Sequence, residues 1–311
     1  MSAIDGAGGR AFVLAHLSDP HIGPLPRPRV VEFTSKRLLG YLNWHRSRHA
    51  IHRPDALAAI GRDLAHARPD HVAVTGDLVN IALPGEFERA RHWLESLGAP
   101  ADVSLVPGNH DAYVQSAALH RDRHWAPYMT GDAGTPHGAS FPYVRRRGPV
   151  ALIGLSTAVA TAPLMATGRL GADQIARAAA LLAELGAEEL FRVVMIHHPP
   201  LAPQGSRHKR LIDSAELRHA IANAGAELVI HGHDHVHARA AIPGKGAMVP
   251  VIGVPSASAA AGGRHQAAAY NLYRIGGQPG AFSCEVVSRG LAATGAVAEV
   301  GRFALSWPRS V

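Results

Sequence analysis

A chain of 311 residues, 47% hydrophobic and 18% charged, can bury a large core and does not have the composition of a disordered protein. Its single cysteine, Cys284, excludes a disulfide framework and a cysteine-rich zinc site, and reads as a buried apolar filler. The net charge of +7 is local: Arg27, Arg29, Lys36, Arg37, Arg46, Arg48 and Arg53 stand against Glu32 alone between Gly23 and Pro54, which argues against a chain that is basic throughout.

The chain opens on M-S-A-I-D-G-A-G-G-R, which lacks the charged-then-apolar pattern of a secretory leader, so a cytoplasmic protein is expected. The first predicted strand, Ala11–Leu17, runs into Asp19-Pro20-His21. A basic insertion at about 24–53 follows, in which Leu38, Leu39, Tyr41, Leu42 and Trp44 sit among arginines. It reads either as a helix packed on the sheet with solvated arginines, or as a cap that recognises substrate. As a cap, and in one form a mobile lid, it would suit a lipid headgroup at a membrane surface or a nucleotide stacked on Trp44. His45, His49 and His52 in this segment, and His120 further on, read as solvated; His16, His71 and His124 read as structural or exposed.

The second strand, His71–Thr75, runs into Gly76-Asp77, and Phe87, Ala90, Leu94 and Leu97 then recur at helical spacing before a stop at Gly98. Val103–Val106 ends in Gly108-Asn109-His110-Asp111. The uncharged run Val150–Gly168 has membrane-spanning length, but Ser156, three threonines and Pro163 make it a strand, Val150–Leu155, followed by a loop. Ile175, Ala178, Ala179, Leu182 and Leu185 form a second helical stripe, stopped by Gly186. Phe191–Ile196 ends in His197-His198-Pro199, and Ala226–Ile230 in His231-Gly232-His233-Asp234-His235. From about 238 to 311 the chain is β-rich, with strands Val249–Val254, Ala268–Ile275 and Ala281–Ser288 expected to be antiparallel and to complete a second sheet. No internal repeat or linker divides the chain, so residues 1–311 are expected to form one domain of α/β class.

Five apolar strands thus end in metal-type residues, at the place in an α/β layer where loops converge on a rigid sheet. Asp19 and His21, two apart, can grip one ion. Asp77 has two oxygens with which to bridge a pair of ions, Asn109 offers an amide oxygen, and His197, His233 and His235 offer imidazoles. Oxygen and nitrogen donors without thiolate favour two divalent ions such as manganese, iron or zinc. Two such ions, two carboxylates and a hydroxide would leave the site with about one positive charge, suited to an anionic ester.

In the order D-P-H, G-D, G-N-H-D, H-H-P-P and G-H-D-H, these motifs resemble the five blocks of the calcineurin-like metallophosphoesterases. The resemblance implies a four-layer α-β-β-α sandwich of two mixed sheets flanked by helices. It also implies one metal on Asp19, His21, Asp77 and His235, and a second on Asp77, Asn109, His197 and His233. His110 would contact phosphate and protonate the leaving oxygen, steadied by Asp111. The family pattern places the ligand two residues before the proline, hence His197 rather than His198. His231 remains a hydrogen-bond partner of the ligands or a packed residue, and His237 is not expected to be a ligand. The block spacing is similar to bacterial cyclic-nucleotide and glycerophosphodiester enzymes. It implies a phosphodiesterase that uses a metal-bridging hydroxide on a small-molecule or lipid-linked phosphate ester. The other readings are a UDP-diacylglucosamine-type pyrophosphatase at the membrane surface, a nuclease, or a catalytically dead binding scaffold. Nucleic acid is not an expected partner.

Overall fold

A computed structural model describes residues 10–33, 36–134, 140–201, 207–262 and 265–309. The leader reading of the first nine residues, and positions 34 and 35 of the insertion, lie outside the described residues.

The chain begins with β1 (Phe12–Leu17), then α1 (Lys36–Asn43), a π-helix over Trp44–Arg48, the short α2 (His49–Ile51) and α3 (Pro54–Ala67). Next come β2 (His71–Val74), α4 (Pro84–Leu97), β3 (Val103–Leu105) and α5 (Ala117–Trp125). The hairpin β4 (Tyr143–Arg147) and β5 (Val150–Gly154) leads to α6 (Ala172–Ala187), β6 (Phe191–Met195), α7 (Ser214–Ala224) and β7 (Leu228–His231). Five strands follow: β8 (Ala238–Pro243), β9 (Met248–Gly253), β10 (Ala269–Gln278), β11 (Ala281–Leu291) and β12 (Val297–Ala304). Among the described residues no helix is long and apolar enough to cross a membrane.

Two mixed sheets of six strands result, in the orders β12-β11-β10-β1-β2-β3 and β4-β5-β6-β7-β9-β8. The alternation of side chains across the pleat explains why they stack. On β5, β6 and β7, Leu152, Val193 and Ile230 face the core shared with the first sheet, where Leu14, Val74 and Leu105 are buried. Their neighbours Ile153, Val194 and Val229 point the other way, onto Leu182, Leu185, Leu217 and Ile221 of α6 and α7. Helices α3 and α4 bury Leu57, Ile60, Phe87 and Leu94 on the other outer side. Each such side chain contributes about 1.5–3 kcal/mol by leaving water. The four-layer α/β arrangement is therefore the one expected.

The C-terminal strands depart from expectation. β9 pairs parallel with β7 in the second sheet, whereas β10 pairs antiparallel with β1 and carries β11 and β12 onto the first sheet. The second sheet is completed at that edge by β8 and β9, not by β10 and β11. The cause is long-range register: Phe12 to His16 lie opposite Ile275 to Asn271, a pairing that strand patterning does not reveal.

The insertion is fastened at residues 36–37 and again at 51–53. The Arg37 guanidinium donates to the carbonyls of Ile81 and Ala82, and Lys36 Nζ donates to Thr161 and to the Met165 carbonyl. At its far end Arg53 N donates to Ser258 O and Ala260 N to Ile51 O. Trp44 is buried with its ring over Gly23, so its faces are not available to a nucleotide. Conversely Leu38, Leu39 and Leu42 are exposed rather than packed on the sheet.

Candidate metal centre

All seven candidate ligands, with His110, gather where β1, β2, β3, β6 and β7 end. His235 Nε2 lies 3.0 Å from Asp19 Oδ1 and 3.4 Å from His21 Nε2. Asp77 Oδ2 is 3.8 Å from His21 Nε2 on one side and 3.5 Å from His197 Nε2 on the other. His197 Nε2 is in turn 3.2 Å from Asn109 Oδ1. Asp77 thus stands between two donor sets, one around His21 and one around His197.

The backbone at these positions is unusual. Asp19, His21, Asp77, His233 and His235 have φ between 38° and 71°, a left-handed region costly for residues with a Cβ. They are five of the nine non-glycine residues so held among the described residues. Hydrogen bonds fix the turns: Asp19 N donates to Gly76 O, His21 N to Asp77 O, and His233 N to Asp19 Oδ2. Gly232 is required by crowding rather than by its φ, since a Cβ there would collide with the Ser18 hydroxyl and the Asp19 carboxylate.

Whether these residues fit metal ions is decided by the imidazole tautomers. A ligating histidine normally donates its other ring N–H to a carbonyl or carboxylate, which leaves a bare nitrogen for the ion. His21 Nδ1 is 3.2 Å from Val79 O, His197 Nδ1 is 2.6 Å from Thr75 O, and His233 Nε2 is 2.9 Å from Lys209 O. Each carbonyl can only accept, so a proton sits on that nitrogen and the opposite one is turned to the site, where a cation could take the place of any second proton. The donor set therefore fits divalent cations. His198 differs, because Nε2 donates to Ala166 O and Nδ1 accepts from Thr157 Oγ1 at 2.6 Å, leaving no free ring nitrogen.

The electrostatics agree. Burial would raise Asp19, but His235 and His197 outweigh it and hold its carboxyl well below the usual range. Burial would likewise lower His197, yet Asp77 and Asp19 push it up to about 10. His21 is kept well below its usual value by burial and then by Arg48, and His233 by burial and then by His198. Two carboxylates thus draw a positive charge into a ring of neutral imidazoles, which is the field a bound cation would satisfy.

The steadying role expected of Asp111 falls on other atoms. Its carboxylate accepts from the amides of Asp77, Leu78, Val79 and Gly108, so it shapes the two loops under the site instead of meeting the His110 ring. Burial and the neighbouring Asp77 push it up to about 7 against the pull of those amides. The ring of His110 is held by Asn80 O at Nδ1, and its backbone N donates to Asp77 Oδ1 at 2.7 Å. Burial and then Arg48 lower His110 to about 3.

Two residues were not singled out by sequence. Arg48, taken as part of a charged patch, reaches His110 Nε2 at 2.9 Å and His21 Nε2 at 3.0 Å. His52, taken as solvated, is buried with its ring 4.4 Å from that of His21 and Nδ1 3.0 Å from Ser258 Oγ. Burial and then Arg48 lower it to about 2. The only signal in the sequence was proximity to the first metal block. His16 and His71 are buried and structural, bonded to Thr75 and Ser104, and His231 is packed under Gly253.

Two stacked mixed sheets with carboxylate, amide and imidazole donors at their strand ends define a metal-dependent phosphoesterase architecture. The chain belongs to the calcineurin-like phosphoesterases, whose family model matches residues 12–237. It is 29% identical over 212 residues to a probable cyclic nucleotide phosphodiesterase from Synechococcus sp., a match covering 67% of this chain and 72% of that protein. It is 28% identical over 190 residues to the glycerophosphodiester phosphodiesterase GpdQ of Enterobacter lignolyticus, covering 61% of this chain but only 58% of that relative. Among solved structures, a dimetal phosphatase from Danio rerio superposes with a TM-score of 0.59 at 12% identity, over 96% of this chain and 100% of that one. Purple acid phosphatase PPD1 from yellow lupin gives 0.61 at 12% identity, over 96% of this chain and 54% of that one. These two likenesses concern the fold.

Proposed function

We propose that the chain is a phosphodiesterase that works with two divalent cations, one held by Asp19, His21, Asp77 and His235 and the other by Asp77, Asn109, His197 and His233. The observation that carries this reading is the position of Asp77, whose Oδ2 lies within 4 Å of an Nε2 from each donor set. Manganese, iron or zinc suits these donors. When bound, such a pair supplies a hydroxide at neutral pH and neutralises charge gathering on phosphorus.

The protein's own contribution is to position and to move a proton. The tie from His110 N to Asp77 Oδ1 fixes the ring relative to the shared carboxylate. With Nδ1 donating to Asn80 O, Nε2 is the ring nitrogen that faces the site, and it would have to take up a proton there before passing it to the leaving oxygen. Asp111 keeps the amides of both loops in place under the ligands. Diester rather than monoester preference is supported by the names of the two relatives. One continuous core across both sheets supports treating residues 1–311 as one catalytic domain.

A second reading is a lipid-linked diphosphate as substrate, with the insertion at a membrane face. Exposed Val30, Val31, Leu38, Leu39 and Leu42, in the same segment as exposed Arg27 and Arg46, favour it.

The test is turnover of bis(p-nitrophenyl) phosphate by manganese-loaded protein, with His110→Ala as comparison and a lipid-linked diphosphate in the substrate panel. The variant should keep its metal and lose roughly 10²–10⁴ in kcat. Preference for the diphosphate would select the second reading. Full metal occupancy with no turnover of any phosphate ester would instead favour a binding scaffold.

A further inference from the structure

The arginines of this protein that serve structure spend their donors on carbonyls or carboxylates. Arg37 holds Ile81 O and Ala82 O; Arg145 holds the carbonyls of Thr130, Pro100, Val103 and Pro127; Arg192 pairs with Glu227 at 2.7 Å. Arg48 does neither. Its side-chain partners are the ring nitrogens of His110 and His21, and among the described residues it forms no ion pair. It is half-buried at the mouth of the candidate site, so its charge is partly stripped of water without a bonded counter-charge.

Its placement is built rather than incidental. Arg48 closes the π-helix Trp44–Arg48, a geometry that inserts an extra residue into a helical turn and is frequent at functional positions. The start of that turn is anchored by buried Trp44, and the segment after it is tied to Ser258 and Ala260. The fastened insertion thus presents one guanidinium to the ligand cluster. His110 Nε2 accepts from it, since the ring proton is on Nδ1, so Arg48 supplies N–H groups where an incoming anion would lie.

We propose that Arg48 is a substrate-binding residue whose guanidinium grips a non-bridging oxygen of the phosphoryl group entering between His21 and His110. The proposal rests on the phosphodiesterase reading, and makes the basic insertion part of the active site. A planar fork with five donors suits a phosphoryl group better than an ammonium does. An anion there gives Arg48 the counter-charge the folded protein does not bond to it.

The experiment measures inorganic phosphate binding by calorimetry on manganese-loaded wild-type, Arg48→Lys and Arg48→Ala proteins, beside kcat and KM for bis(p-nitrophenyl) phosphate. Metal content and unfolding temperature are recorded for each variant. The alanine variant, with its metal intact, should bind phosphate at least tenfold more weakly and show the larger loss in KM. Lysine should fall between the two, and added ethylguanidinium should restore part of the binding to the alanine variant. If wild-type binds phosphate and Arg48→Ala binds it equally well with the same KM, the proposal is overturned. No phosphate binding by metal-loaded wild-type also overturns it. Phosphate binding that depends on Arg48 in a protein that turns over no ester would sustain the role of Arg48 and remove the hydrolase reading. Should the alanine variant lose its metal or fold, the lysine variant decides: unchanged phosphate affinity there contradicts a grip that needs the guanidinium.

Discussion

Asp19, His21, Asp77, His233 and His235 each combine a metal-type side chain with a left-handed backbone, and the two properties have one cause. Aiming short side chains from three strand ends at one point requires sharp turns, and those turns put residues with a Cβ where glycine would be cheaper. Identity and spacing of these residues were legible in the sequence, because D-P-H and G-H-D-H are local patterns. The strain was not, because it arises only when β1, β2 and β7 end side by side. Arg48 and His52 were hidden for the same reason: their roles depend on where a distant insertion lands. The strain is testable at His235, whose φ is 56°. Both His235→Gly and His235→Ala remove the imidazole, yet the metal-free glycine variant should be more stable by about 1 kcal/mol. Urea denaturation of the two metal-free proteins measures the difference, and equal stability would mean the backbone at 235 is not strained.

At the scale of elements, the strands that became visible in the sequence are the buried ones, such as β5 and β6. The strands that escaped, β4, β8 and β12, are edge strands with polar or mixed faces, as in Y-V-R-R-R and V-A-E-V-G-R-F-A. Helix α7 was not distinguished either, since S-A-E-L-R-H-A-I-A-N-A carries little apolar contrast, and α3 was passed over although Leu57, Ile60 and Leu64 recur on one face. One contact between elements has a clear pH signature. Asp63 on α3 accepts from Tyr270 of β10 at 2.6 Å and from both Nε and an Nη of Arg289 on β11. Burial would raise its carboxyl, but the bonds from Arg289 and Tyr270 outweigh burial and take it below the ordinary 3.8. A depressed carboxylate stabilises the fold above the unfolded value and loses that contribution as the pH falls through the folded one. Asp63→Asn should therefore cost about 1–2 kcal/mol at pH 7, with the gap to wild-type narrowing below about pH 4. Denaturation at several pH values checks this; a gap independent of pH would show that the ion pair is not its source.

The whole molecule brings donors from opposite ends of the sequence onto one point by stacking two sheets whose strand ends meet. Asp19 and His235 are 216 residues apart in sequence and 3.0 Å apart in space. Order of blocks along the chain made this convergence foreseeable. The attachment of β10–β12 to the first sheet was not foreseeable, because pairing with β1 is set by tertiary packing and not by any local pattern. The insertion also changes meaning at this scale. It is neither a helix laid wholly on the sheet nor a loose flap, but a strap fixed at 36–37 and 51–53 that leaves Leu38, Leu39 and Leu42 toward solvent.

The proposed pair of cations would share Asp77 and be held by seven side chains in all. Anomalous scattering from crystals of the manganese-loaded protein tests it most directly. Two peaks are expected, one bounded by Asp19, His21, Asp77 and His235 and the other by Asp77, Asn109, His197 and His233. A single peak, or manganese bound elsewhere with these side chains turned away from one another, would contradict it.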